Sequence, residues 1–176
     1  MKRTHVHVLS GDKTVEIFQR LMEERGFFTY SFQSGHEQAA TLSRGEDFRL
    51  LPDVLAVSFE KNAAVLCEVK RKFATPKGSY GFKDYEIEHA AEVRRAMGLS
   101  YLFVVYDWTE DAWHAQTIDT LVAQKPYAIP TRFTGHIGGE KKMTRPFYYY
   151  PKALFVPLDE ILMALSGDRG GETQRK

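Results

Sequence analysis

The chain has 176 residues, with 24 Lys and Arg against 23 Asp and Glu, a net charge of +1 and one cysteine. That length suits one domain, expected over 1–166 with a flexible tail over 167–176, and the balanced charge excludes a partner recognised by bulk charge alone. The lone Cys67 excludes a disulfide framework and fits a reducing cytoplasm, and the longest strongly apolar run, Tyr101 to Tyr106, is too short to span a membrane.

In chain order, Val15, Phe18, Leu21 and Met22 recur at helical spacing, with Asp12 placed to cap the helix and Gly26 to stop it. The run Phe27 to Phe32 is rich in strand formers. Residues 33–50 show no period and read as loop. Pro52 opens a strand running from Asp53 to Phe59, and the turn Glu60 to Asn62 leads into a second, Ala63 to Lys70. The near-continuous apolar character of that second strand predicts a central position covered on both faces.

Residues 73–82 read as a Pro/Gly loop. A second helix follows over 83–97, with Ile87, Ala90, Ala91 and Met97 on one side and Gly98 ending it. Ser100 to Trp108 predicts another buried strand. Residues 112–122 read as a strand running into a turn or short helix, and 145–165 as a strand and a closing helix from Asp159. Phe147 to Tyr150 in that strand read as half-buried aromatics, with base stacking as the functional alternative. The result is a mixed sheet flanked by helices, in the α/β class.

The hairpin holds a contradiction: Asp53, Glu68 and Lys70 are charges on strands that are otherwise apolar. Glu68 and Lys70, two apart, share one face, while Cys67 and Val69 point into the opposite layer. An antiparallel pairing with its turn near 60–62 brings Asp53 close to Glu68. A buried carboxylate pair is costly unless neutralised. Two carboxylates and a backbone carbonyl, such as that of Val69, form an oxygen site suited to Mg²⁺. Lys70 would stand beside it, placed to steady a phosphate oxygen or an attacking water. The alternative is a structural salt bridge between Lys70 and Asp53 or Glu68.

Other features carry less. Cys67 reads as a small core residue. His5 and His7 share a face but have no further ligand at zinc spacing. Basic residues gather at Lys70 to Lys72, Lys77, Lys83, Arg94 and Arg95, and again at Arg132, Lys141, Lys142 and Arg145. The second group is either a phosphate-touching loop or ordinary surface.

The pattern Pro52–Asp53 followed on the next strand by Glu68-Val69-Lys70 resembles the active-site motif of the PD-(D/E)xK nuclease superfamily, which includes restriction endonucleases and Holliday-junction resolvases. The resemblance covers roughly residues 12–107. It implies a restriction endonuclease-like core, in the order α-β-β-β-α-β with a C-terminal extension, and a metal-dependent endonuclease acting on DNA. It further implies that Asp53 and Glu68 bind Mg²⁺ or Mn²⁺, that Lys70 aids catalysis, and that an acid from the first helix joins them, for which Glu16 is the best placed. Lys72, Lys77, Lys83 and His89 would meet the nucleic acid, although His89 stands where many relatives carry Gln. Cutting two strands with one site per chain calls for a homodimer. A module that keeps the fold and binds nucleic acid or protein without catalysis is the competing expectation.

Overall fold

The computed structural model describes residues 11–32, 51–126, 129–130 and 146–167. Helix α1 (Gly11–Glu24) leads into strand β1 (Phe28–Ser31), followed by β2 (Val54–Ser58) and β3 (Ala63–Lys72). Next come β4 (Ser79–Lys83), helix α2 (Asp84–Met97), β5 (Ser100–Asp107), β6 (Ala112–Thr117) and α3 (Ile118–Ala123). Two-residue β7 (Ile129–Pro130), β8 (Pro146–Pro151), a 3₁₀ turn (Lys152–Leu154), β9 (Val156–Pro157) and α4 (Leu158–Gly167) complete the described chain.

Six strands form the main sheet in the order β1-β2-β3-β5-β6-β9, and β4-β8-β7 form a smaller one. The β3–β5 pair is parallel, from Val65↔Ser100 to Lys72↔Asp107, and the other pairs of the main sheet are antiparallel. β3 lies third of six with Leu66 and Cys67 fully buried, as its apolar run predicts.

The main sheet is covered on both faces. On one, Val15, Phe18 and Met22 of α1 and Ile161 and Leu162 of α4 pack over Cys67, Val69, Leu102 and Val104. On the other, Ile87 and Ala90 of α2, Leu121 of α3 and Tyr80 and Phe82 of β4 pack over Leu66, Tyr101, Phe103 and Val105. Alternate residues of β3 and β5 serve opposite layers, the period-two rule in its simplest form.

Local signals set the ends of the helices. Gly26 (φ 78°) closes α1, with Phe27 donating its N–H to Met22 O at 3.0 Å. Gly98 (φ 67°) closes α2 by donating to Arg94 O at 3.0 Å. Both take the left-handed conformation that glycine adopts without a Cβ penalty.

Several expectations change. The stretch 73–82 is not all loop, because Ser79–Lys83 form β4 and pair antiparallel with β8. Pro76 and Gly78 hid the alternation in which Tyr80 and Phe82 are buried. Between them Gly81 lies opposite Tyr149, and a Cβ there would come within 2.9 Å of the ring. α1 starts at Gly11, so Asp12 lies inside its first turn. Met97 is 47% exposed and leaves the buried side of α2. The stretch 112–122 resolves into a strand and a short helix, with Thr117 as N-cap accepting from Thr120 N. In β8, Tyr148 and Tyr150 are buried and Phe147 and Tyr149 half-buried. His5, His7, the 33–50 stretch, Arg132, Lys141, Lys142, Arg145 and the tail from 168 lie outside the described residues. Among the described residues, no helix is long and apolar enough to cross a membrane.

Candidate active site

Antiparallel register places the two acids. Val54 pairs with Cys67, so one step outward sets Asp53 across from Glu68, and directly opposed residues share a face. Asp53 is buried and held from both sides: its carbonyl accepts the Phe32 N–H at 3.0 Å, and its Oδ2 accepts the Val69 N–H at 2.7 Å. A strand residue sends its N–H and C=O toward the same edge. The Val69 carbonyl therefore opens on the side of Asp53, where β2 has ended.

Glu68 and Lys70 lie on that face, two apart on β3. Lys70 Nζ is 2.6 Å from Glu68 Oε1 and 3.4 Å from Glu86 Oε1. The Tyr101 hydroxyl lies 3.4 Å from Glu68 Oε2, a long hydrogen bond. The opposite layer takes Cys67 and Val69.

Burial sets the electrostatics. It pushes the Glu68 carboxyl up to about 7 against the pull of Lys70, with Asp53 and Glu86 adding to the rise. Burial also works to lower the Lys70 pKa, but Glu68 and Glu86 outweigh it and hold the ammonium above its ordinary value. Burial, then Glu68, raises Tyr101, which stays a protonated donor. Cys67 is fully buried and its thiol is pushed up by burial and then Asp53, the opposite of what a nucleophile needs.

A cleft of about 300 Å³ opens over this cluster, lined by Glu68, Lys70, Tyr85, Glu86, His89 and Tyr101, with Leu51 at its rim. By register, exposed Phe28 and Tyr30 of β1 continue the face of Asp53 outward. Among the described residues, α2 roofs the site on one side.

The remaining expected residues fall differently. Glu16 is exposed on α1, whose buried side packs on the far face of the sheet, so the structure does not bring it to Asp53 and Glu68. Among the described residues, no group of three or more Asp, Glu, His and Cys is placed to hold one metal ion. Lys72 is half-buried, its Nζ 5.1 Å from the centre of the Phe82 ring, and burial lowers its pKa. Lys77 is exposed. Lys83 precedes α2 and its Nζ donates to the Tyr85 hydroxyl at 3.2 Å. His89 lines the cleft beside Tyr85, and its Nδ1 has no hydrogen-bond partner among the described residues.

Sequence reasoning missed Glu86 and Tyr101. Glu86 had a local signal, since Lys83-Asp84-Tyr85-Glu86 places Glu at the third residue of a helix, where it caps the first turn. Its Oε2 does so, accepting the Lys83 N–H at 3.0 Å. Tyr101 had no signal beyond β5 pairing, which sets it one strand away from Leu66.

The donor set fits a small hard cation. Asp53 and Glu68 offer carboxylate oxygens on one face, the Val69 carbonyl lies on the same side, and all three are oxygen ligands of the type Mg²⁺ takes alongside waters.

Sheet order, crossover and helices together make a mixed α/β fold with a restriction-endonuclease-like core. Among solved structures the chain is similar to the Holliday junction resolvase Hjc of the archaeal hyperthermophile Archaeoglobus fulgidus, at a TM-score of 0.55 and 12% identity over 86% of this chain and 98% of Hjc. A nuclease from a fusselovirus aligns at a TM-score of 0.46 and 16% identity, over 88% of this chain and 87% of its own. No protein-family model matches the chain, and no curated protein sequence does.

Proposed function

We propose that this protein is a metal-dependent endonuclease hydrolysing DNA phosphodiester bonds, with Asp53, Glu68 and the Val69 carbonyl holding Mg²⁺ or Mn²⁺. The observation that supports this reading is Asp53 held at 2.7 Å by the Val69 N–H, next to Glu68, with Glu68 and Lys70 lining one cleft. A bound cation would lower the pKa of a water and offset charge developing on the phosphate. Lys70 donates to a phosphate oxygen or orients the attacking water. Tyr101 steadies the second Glu68 oxygen. Exposed Lys77, with Lys83 and His89 at the helix edge, meets the DNA backbone.

The name of Hjc gives that protein a Holliday junction as substrate. With the shared fold, this supports a structure-selective enzyme of junction-resolvase type, working as a homodimer so that two strands can be cut.

One observation favours the competing reading, a binding module without catalysis. Lys70 already occupies Glu68 at 2.6 Å, and among the described residues no group of three acids is placed to hold an ion. Cleavage of labelled DNA with Mg²⁺ or Mn²⁺, alongside Asp53→Ala, Glu68→Ala and Lys70→Ala, decides between them. The nuclease reading expects cleavage by the wild type alone. Activity that persists in EDTA or in Glu68→Ala overturns it, and DNA binding without metal binding at millimolar Mg²⁺ establishes the module.

A further inference from the structure

We propose that Glu86 is a positioning residue for Lys70, holding its ammonium in the cleft when Glu68 is engaged elsewhere. Its catalytic meaning rests on the nuclease reading; the contact itself does not. Lys70 sits between two carboxylates from different elements, 2.6 Å from Glu68 on β3 and 3.4 Å from Glu86 on α2. A cation that takes the Glu68 oxygens removes the nearer partner. A lysine on a flexible four-carbon stem would then leave the cleft or stand there uncompensated.

Glu86 is built to prevent both. Its side chain is only 14% exposed, so solvent screens the contact little. Its two oxygens have separate work. Oε2 accepts the Lys83 N–H at 3.0 Å, which anchors the carboxylate to the start of α2, while Oε1 faces Lys70. The bond at Oε2 therefore restrains Glu86 at the start of α2 while leaving Oε1 for Lys70. The plainer alternative is that Glu86 is only a cap. Gln caps equally well at this position, so Glu86→Gln keeps the cap and removes the charge that Lys70 meets.

The test needs neither metal nor activity. Lys70 acylation by an amine-reactive reagent, followed by mass spectrometry, reports whether the ammonium is held. Glu68→Gln stands for Glu68 engaged elsewhere. Wild type, Glu68→Gln and Glu86→Gln are expected to label alike, and Glu68→Gln/Glu86→Gln several-fold faster. If Glu68→Gln alone labels as fast as the double variant, or the double variant labels like wild type, the inference is overturned. Should the double variant unfold, Glu86→Gln labelled with and without Ca²⁺, at a concentration that calorimetry shows to be bound, gives the same comparison, with faster labelling expected only in Ca²⁺ and equal labelling overturning the inference.

Kinetics add a second readout: Glu86→Gln lowers kcat about tenfold with KM for DNA unchanged, the scale of removing a residue that orients a metal-site group. An inactive wild type would strike the nuclease reading and leave the labelling result standing. Normal cleavage by the wild type, with Glu68→Gln/Glu86→Gln labelling no faster than Glu68→Gln, would strike this inference alone.

Discussion

Val69 donates its backbone N–H to Asp53 Oδ2 at 2.7 Å, one residue before β2 begins. This bond stops the Asp53 side chain from turning toward solvent and fixes it beside Glu68. It also separates two properties of Asp53, its shape and its charge. Asp53→Asn keeps an oxygen for the Val69 N–H and should retain the thermal midpoint while losing Mn²⁺ affinity and cleavage. Asp53→Ala loses both and should cost a further ~1–3 kcal/mol, the penalty of an unsatisfied buried group. Thermal unfolding with calorimetric Mn²⁺ titration checks both, and full Mn²⁺ affinity in Asp53→Asn would remove Asp53 from the site.

Glu68 predicts a pH dependence in two opposite senses. Its folded pKa is raised from 4.5 to about 7, so between these values the folded state holds a proton that the unfolded state has released. Without metal, its contribution to stability is fully present below about pH 4.5 and is lost as pH rises through about 7. Metal binding runs the other way, because the ion takes the carboxylate and expels the proton. Mg²⁺ affinity should rise with pH up to about 7 and then level off. Titrations in buffers of differing ionisation enthalpy count the released proton. Proton release that is the same at pH 6 and pH 8 would contradict this.

Much of the fold was legible because its signals are local. The periods of α1 and α2, Gly26 and Gly98 at their ends, and the apolar run of β3 are set by neighbours in the chain. The antiparallel pairing of β2 with β3 was legible too, since a short turn at 60–62 leaves little choice of register. What escaped needed contacts between distant segments. β4 becomes a strand because β8, far along the chain, pairs with it and receives Tyr149 over Gly81. Glu16 was attractive on a helix seen alone, but the side of α1 that carries Val15, Phe18 and Met22 determines which sheet face it meets, and that is the face away from Glu68. Glu86 was overlooked because one chain position carried two roles, and the reach from α2 to Lys70 exists only after β3 and α2 have packed.

Two lysines expected to meet DNA should now separate. Lys77 is exposed, so Lys77→Ala should weaken binding evenly across sequences and reduce the slope of log affinity against log salt by about one. Lys72 is half-buried over Phe82, so Lys72→Ala should act chiefly on stability, with ~1 kcal/mol or more from the lost cation–π contact and packing. Fluorescence anisotropy at several salt concentrations, paired with denaturant unfolding, measures both. An unchanged salt slope in Lys77→Ala would place the DNA track elsewhere on the molecule.

Asp107 supports the site from a distance. It is fully buried at the end of β5 and accepts from the Tyr80 hydroxyl at 2.7 Å, Thr109 Oγ1 at 2.6 Å and Lys152 Nζ at 3.1 Å. Tyr80 lies in β4 and Lys152 in the turn after β8, so one carboxylate clips two strands of the small sheet to the main one. Burial alone would raise its pKa, but the bonds from Thr109, Tyr80 and Lys152 more than reverse this and hold it below the ordinary carboxylate range. A depressed folded pKa adds stability that is present above the unfolded value of 3.8 and is lost as pH falls through the folded one. Asp107→Ala leaves the Tyr80 and Thr109 hydroxyls without their acceptor, while Lys152 keeps its ion pair with Glu110, and should cost ~1–3 kcal/mol, the penalty of unsatisfied buried groups. Tyr80→Phe removes one bond to a charged group and should cost ~1.5–3 kcal/mol. Since β4 runs directly into α2, which carries Glu86 and His89, both variants should also lose cleavage below the temperature at which they unfold. Acid titration of the unfolding midpoint tests the sign: wild type should lose stability below pH ~4 more steeply than Asp107→Asn, and parallel curves would show that Asp107 is not the group responsible.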